Sequence, residues 1–125
     1  MLEAVWIVGF SGHRPGDGNG RSADTIRACS VPLRNVLNQL QELAAAQGGR
    51  IELLTGVAAG ADLEAAEAAR ELDIPVHITL PLPELMFHED FGGDLASDWP
   101  RAQRLIEGAK RGEGGSTLRI DGGGL

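Results

Sequence analysis

Lysine is almost missing from this chain. Lys110 is the only one among 11 basic residues, so anion recognition falls to arginine, whose planar fork suits phosphate and carboxylate. Cysteine is scarcer still in effect. A single thiol, Cys29, excludes an intrachain disulfide and a cysteine metal cluster, and is expected to be a small buried side chain. Basic charge is outweighed, with 18 acidic against 11 basic residues and a formal net charge of -7. A surface of that sign argues against broad nucleic-acid binding, while leaving room for a local basic pocket. No stretch reaches the roughly 20 apolar residues of a membrane span. Glu3, and no basic segment, precedes the first apolar run, so neither a signal peptide nor a membrane partner is expected. The expected location is cytoplasmic. His88-Glu89-Asp90 has one imidazole beside adjacent carboxylates, which is not a separated metal-ligand set, so metal and cofactor are both expected to be none.

The 125 residues, 42% of them hydrophobic, are enough for one domain with one core. Ala4-Val5-Trp6-Ile7-Val8-Gly9-Phe10 is a near-continuous apolar run, expected as a strand buried on both faces of a parallel sheet. A helix follows with Ser30 as N-cap and Pro32 in its first turn. Its apolar stripe is Val36, Leu37, Leu40, Leu43 and Ala44, and Gln47-Gly48-Gly49 ends it. Ile51 to Leu54 forms a second strand. A helix from about Ala61 to Leu72 then turns Ala61, Ala65, Ala68, Ala69 and Leu72 to the sheet. Its Glu64, Glu67 and Glu71 are expected as a solvated face. Residues 74–80 form a third strand with Pro75 at its start or outside its ladder, and His77 within it reads as packed and hydrogen-bonded. Asp98 is placed to cap a helix ending at Lys110.

The fold class is therefore α/β: a Rossmann-like parallel sheet with flanking helices, an incomplete or half doubly wound unit. Residues 1–111 form that domain. Residues 112–125 are a glycine-rich tail or the start of a missing second half, with Thr117 to Ile120 as a possible opening of a fourth strand. A homo-oligomer or a fused partner domain would supply the missing half, unless it has been lost.

Three loops converge on the C-terminal sheet edge, where ligands bind in open α/β sheets. The first carries Gly9, Ser11, Gly12, His13 and Arg14: a hydroxyl, an imidazole and a charged fork directly after a buried strand. The second is Thr55-Gly56-Val57-Ala58-Ala59-Gly60-Ala61-Asp62, a small-residue turn into a helix whose first amides and dipole favour an anion. Asp62 either caps that helix or holds a ligand hydroxyl or a pocket arginine. The third spans residues 81–91, where Phe87 and Phe91 pack a flap. The dinucleotide fingerprint and the Walker A lysine are both missing, which disfavours a dehydrogenase or an NTPase.

Gly9-Phe10-Ser11-Gly12-His13-Arg14 and Thr55 to Asp62 resemble the SLOG superfamily. This Rossmann-like group includes the DNA-processing protein DprA/Smf and the LOG-type lysine decarboxylase-like proteins. The similarity runs from about Val5 to Phe91. It implies a pocket for a nucleotide or nucleotide-derived small molecule, with Gly9, Ser11, Gly12, Arg14, Gly56, Gly60 and Ala61 at phosphate and Asp62 as the acidic residue of the motif. The LOG branch implies a nucleoside-monophosphate phosphoribohydrolase and the DprA branch a DNA-processing accessory domain. The Pro-Gly-Gly-x-Gly-Thr-x-x-Glu segment of LOG enzymes, with its catalytic glutamate, has no counterpart here. The expectation is binding or sensing, with no catalytic residue assigned.

Overall fold

The computed structural model describes residues 3–11, 27–56, 60–80, 91 and 98–119. Four strands, β1 (Ala4–Gly9), β2 (Gly49–Thr55), β3 (Val76–Leu80) and β4 (Gly115–Arg119), alternate with three helices, α1 (Ser30–Ala46), α2 (Ala61–Glu71) and α3 (Trp99–Lys110). All neighbouring strands are parallel, in the order β1-β2-β3-β4. The chain is an α/β protein with a small parallel sheet and helices packed on it. β1 to β3 run as in one half of a doubly wound sheet. β4, in the stretch read from sequence as a tail or the start of a second half, extends the sheet in the same direction.

Because parallel crossovers are right-handed, a strand order without reversal sends every crossover helix to one face. α1 packs on α2 and α2 on α3, and together they cover β2, β3 and β4. Ile51, Leu53 and Thr55 of β2 and Val76, Ile78 and Leu80 of β3 are buried beneath them. The residues between, Glu52, Leu54, His77 and Thr79, face the other way and are half-buried. α2 brings Leu63, Ala65, Ala66, Ala68 and Ala69 to the core, and α3 brings Ala102, Ile106 and Ala109. Phe91 is buried against Trp99, with ring centroids 5.3 Å apart; Phe87 lies outside the described residues.

Several expectations are corrected here. Among the described strands β1 stands at the sheet edge, with Val5, Trp6 and Ile7 exposed by 40%, 39% and 55%. Its apolar run reads like a central strand because hydropathy cannot report whether a neighbour exists on both sides. In α1 the inward positions are Leu33, Leu37, Leu40 and Ala44. Val36 and Leu43 point outward at 53% and 58% exposure, since a helix lying on one sheet face buries a narrower arc than its apolar residues span. Cys29 is exposed and stands at the N-cap position of α1. The C-terminal end of α1 is as expected: Gly48 takes a left-handed φ of 77° and donates to Ala45 O at 3.0 Å. Pro75 stays outside β3, its carbonyl accepting the Leu53 amide at 2.8 Å.

Of the glutamates of α2, only Glu71 is exposed as expected of a solvated face. Glu64 is buried, with its side chain only 7% exposed, and Arg101 of α3 donates to it at 2.9 Å. The same guanidinium reaches Glu67 through Nε at 3.0 and 3.1 Å and Asp98 at 2.9 Å. Glu71 pairs with Arg34 of α1. Helical spacing correctly puts the three carboxylates on one side, but that side packs against arginines of both flanking helices. Hydrogen bonding to Glu67, then to Glu64, raises the Arg101 pKa against the opposing effect of burial. Asp98 is at the N-cap position of α3 but makes no capping bond; its carboxylate is taken by Arg101 and by Arg27 at 3.5 Å.

Candidate functional site

The register brings the C-terminal ends of three strands level. Gly9 pairs with Leu54, Leu54 with His77, and Thr55 with Ile78. The residues just beyond, Phe10 and Ser11 after β1, Gly56 after β2 and Thr79 on β3, therefore share one edge. They line an open cleft of about 470 Å³ with Gly9, Leu54, Thr55 and Asp62.

Five of the residues singled out from sequence meet here: Gly9, Ser11, Thr55, Gly56 and Asp62. Gly60 and Ala61 stand at the start of α2 beside it. Gly60 is the N-cap, with φ 113° and ψ -142°, a conformation that side chains rarely adopt. With no side chain at the N-cap, the capping role weighed for Asp62 does not fall at the helix boundary; Asp62 lies inside the first turn. The amides of Ala61, Asp62 and Leu63 precede the first intrahelical bond, Glu64 N–H to Gly60 O at 3.2 Å, so they stand at the positive end of the helix dipole. Gly12, His13 and Arg14 lie outside the described residues, as do residues 57–59 between Gly56 and Gly60.

Thr55 is the informative residue. It is 3% exposed, its side chain shares the helix-facing side of β2 with Ile51 and Leu53, and its Oγ1 is buried with no hydrogen-bond partner among the described residues. A buried hydroxyl without a partner costs about 1–3 kcal/mol, so its presence in a residue that lines the cleft calls for an explanation. Gly56 matters for space. A Cβ there would stand 3.7 Å from Asp62 Oδ2, Thr79 O and Thr79 Oγ1, filling the gap between these polar groups. Thr79 went unremarked in the sequence. It could have been found by aligning the C-terminal ends of the strands, since it follows the residue paired with Thr55.

Among the described lining residues only Asp62 is charged. The cleft thus combines one carboxylate, two threonines and a serine with the positive end of a helix: an acceptor for a ligand hydroxyl and hydroxyl donors for an anion. No three His, Cys, Asp or Glu side chains among the described residues gather as a metal site, and no described helix is long and apolar enough to cross a membrane. Compared with known proteins, the chain matches no family model, no curated protein and no solved structure.

Proposed function

We propose that the cleft at the C-terminal sheet edge binds a nucleotide or nucleotide-derived ligand in the cytoplasm, and that the domain senses it rather than transforms it. The observation that carries this reading is the buried Thr55 hydroxyl, without a hydrogen-bond partner among the described residues, in a residue that lines the cleft together with Asp62 of the first turn of α2. A phosphate seated on the first amides of α2 gives Thr55 Oγ1 an acceptor. The Asp62 carboxylate accepts from a sugar hydroxyl of the same ligand. The cleft volume lies within the roughly 300–1,000 Å³ of small-molecule sites. Ser11 lines the cleft, and Gly12, His13 and Arg14 follow it in sequence; in this reading they add the cationic contact to the phosphate. The resemblance of both loop sequences to SLOG domains selects a nucleotide over other phosphorylated ligands.

The same reading treats the sheet as one half of a doubly wound unit. Its missing strands would be added at the outer edge of β1, by a second copy or a fused domain, because that edge carries apolar residues and no charge to deter pairing.

Calorimetric titration with nucleoside mono- and diphosphates, ADP-ribose and cyclic dinucleotides tests the site. At least one is expected to bind, about tenfold or more weaker to Thr55→Val and to Gly56→Ala. Thr55→Val should leave folding stability unchanged or raise it by about 1 kcal/mol, because it removes a buried hydroxyl with no partner among the described residues. Binding that both variants leave unchanged, or no binding by any of these ligands, refutes the assignment.

A further inference from the structure

On the sheet face turned away from the helices, three adjacent strands set a glutamate, a histidine and a serine in line. His77 Nδ1 lies 2.6 Å from Ser116 Oγ, and His77 Nε2 lies 2.5 Å from Glu52 Oε1. The register produces this row. His77 pairs with Ser116 on β4 and with Leu54 on β2, and Glu52, two residues before Leu54, shares its face. Arg50 holds Glu52 from the other side, with Nε and Nη2 at 3.3 and 3.2 Å from Oε2.

The tautomer follows from the partners. An ionised carboxylate can only accept, so in the neutral ring Nε2 carries the proton and Nδ1 is left to accept from the Ser116 hydroxyl. The His77 hydrogen bond holds the Glu52 carboxyl below its ordinary range, which keeps it ionised at neutral pH. Proton donation therefore runs from Ser116 to His77 and from His77 to Glu52. That is the order that activates a serine, with the two ring nitrogens exchanged relative to the usual triad. Ser116 is exposed and His77 is 29% exposed, so a reagent can reach the hydroxyl.

The strand edge adds a donor. Val76 N–H bonds to Gly114 O at 2.8 Å, and a parallel ladder then takes Ser116 N–H to Val76 O. Thr117 N–H consequently turns to the outer side of β4, which no described strand pairs. That amide lies one residue past the serine and points along the sheet plane, away from the His77 side of Ser116.

We propose that Ser116 is an acyl-accepting nucleophile, with His77 as its general base and Glu52 as the positioning carboxylate, acting on small, unhindered carboxylic esters. Small esters are the class that fits, because Ser116 is exposed and His77 is 29% exposed, an access that requires no acyl-binding pocket. Ser116 Oγ bonds to the carbonyl carbon as its proton passes to His77 Nδ1. The ester C–O bond breaks, and the alkoxide leaves with that proton. Water then gives a proton to the same nitrogen, attacks the acyl-serine, and releases the acid as the proton returns to Ser116 Oγ. None of the three residues lines the nucleotide cleft, so the two readings stand or fall separately.

The intact protein is treated with a fluorophosphonate probe and mapped by peptide mass spectrometry, and assayed with p-nitrophenyl acetate. The expected result is a phosphonyl adduct on Ser116. Hydrolysis should fall about 100-fold or more in Ser116→Ala and His77→Gln. Glu52→Gln should lower kcat about tenfold at unchanged KM and slow the labelling, which a merely structural role would not do. No adduct on wild-type Ser116, or hydrolysis that Ser116→Ala leaves unchanged, overturns the proposal.

Discussion

Replacing Arg101 with methionine removes the guanidinium that Glu64 and Glu67 share while keeping an apolar stem to fill its volume. Deleting one partner of a buried ion pair costs about 3–5 kcal/mol, because the remaining charge stays buried without compensation. The surroundings decide where in that range this site falls. Asp98 retains Arg27 at 3.5 Å, and Glu67, with its side chain 30% exposed, can hydrate. Glu64, at 7%, is the true orphan, so the expected loss is the lower figure of about 3 kcal/mol. That is a large part of the roughly 5–15 kcal/mol that holds a domain together, and amounts to a fall in Tm of roughly 10–20 °C. Urea unfolding followed by far-UV circular dichroism at neutral pH measures it, with an unchanged m-value as the condition for comparison. Glu64→Gln in the Arg101→Met background should recover part of the loss, since a neutral amide costs less to bury than a carboxylate. A loss below about 1 kcal/mol, typical of an exposed pair, would falsify the account of α2 and α3 as joined through a buried ion cluster.

Gly60→Ala should cost about 1–3 kcal/mol because φ 113° with ψ -142° is a glycine conformation; a neutral result would mean the turn into α2 is built differently. Leu37, 5% exposed, and Leu43, 58% exposed, separate the two sides of α1. Leu37→Ala should lose about 2–5 kcal/mol and Leu43→Glu less than about 0.5 kcal/mol, and the reverse ranking would restore the stripe expected from sequence. Acid should weaken the fold through Glu52. Its carboxyl, held below the ordinary 4.5 chiefly by the His77 hydrogen bond, binds its proton at higher pH in the unfolded chain. The stabilisation is therefore complete above 4.5 and fades as pH falls through the lowered folded value. Urea midpoints taken on acidification should drop more steeply for wild type than for Glu52→Gln, and equal slopes would show that Glu52 contributes nothing.

Much of this molecule was legible in the amino-acid sequence because its information is local. The alternation of apolar runs and helical stripes gives parallel βαβ units, since hydrophobic period and chain connectivity together leave few arrangements. Gly48 ending α1, Pro75 outside the ladder, and Gly56 and Gly60 flanking the turn into α2 follow from backbone chemistry at single positions. The meeting of Ser11, Thr55, Gly56 and Asp62 at one edge follows from parallel strands, whose C-terminal ends must lie on the same side. What only the tertiary structure decided depends on neighbours distant in sequence. Whether β1 has a strand beyond it, which arc of α1 is covered, and whether Glu64 meets water or Arg101 are all set by which elements become adjacent. The Glu52–His77–Ser116 row is the clearest instance: 64 positions separate its ends, and only the register of three strands brings the side chains within hydrogen-bonding distance. The Thr55 hydroxyl, unpartnered among the described residues, is another, because the lack of a partner is a property of packing that no single residue encodes.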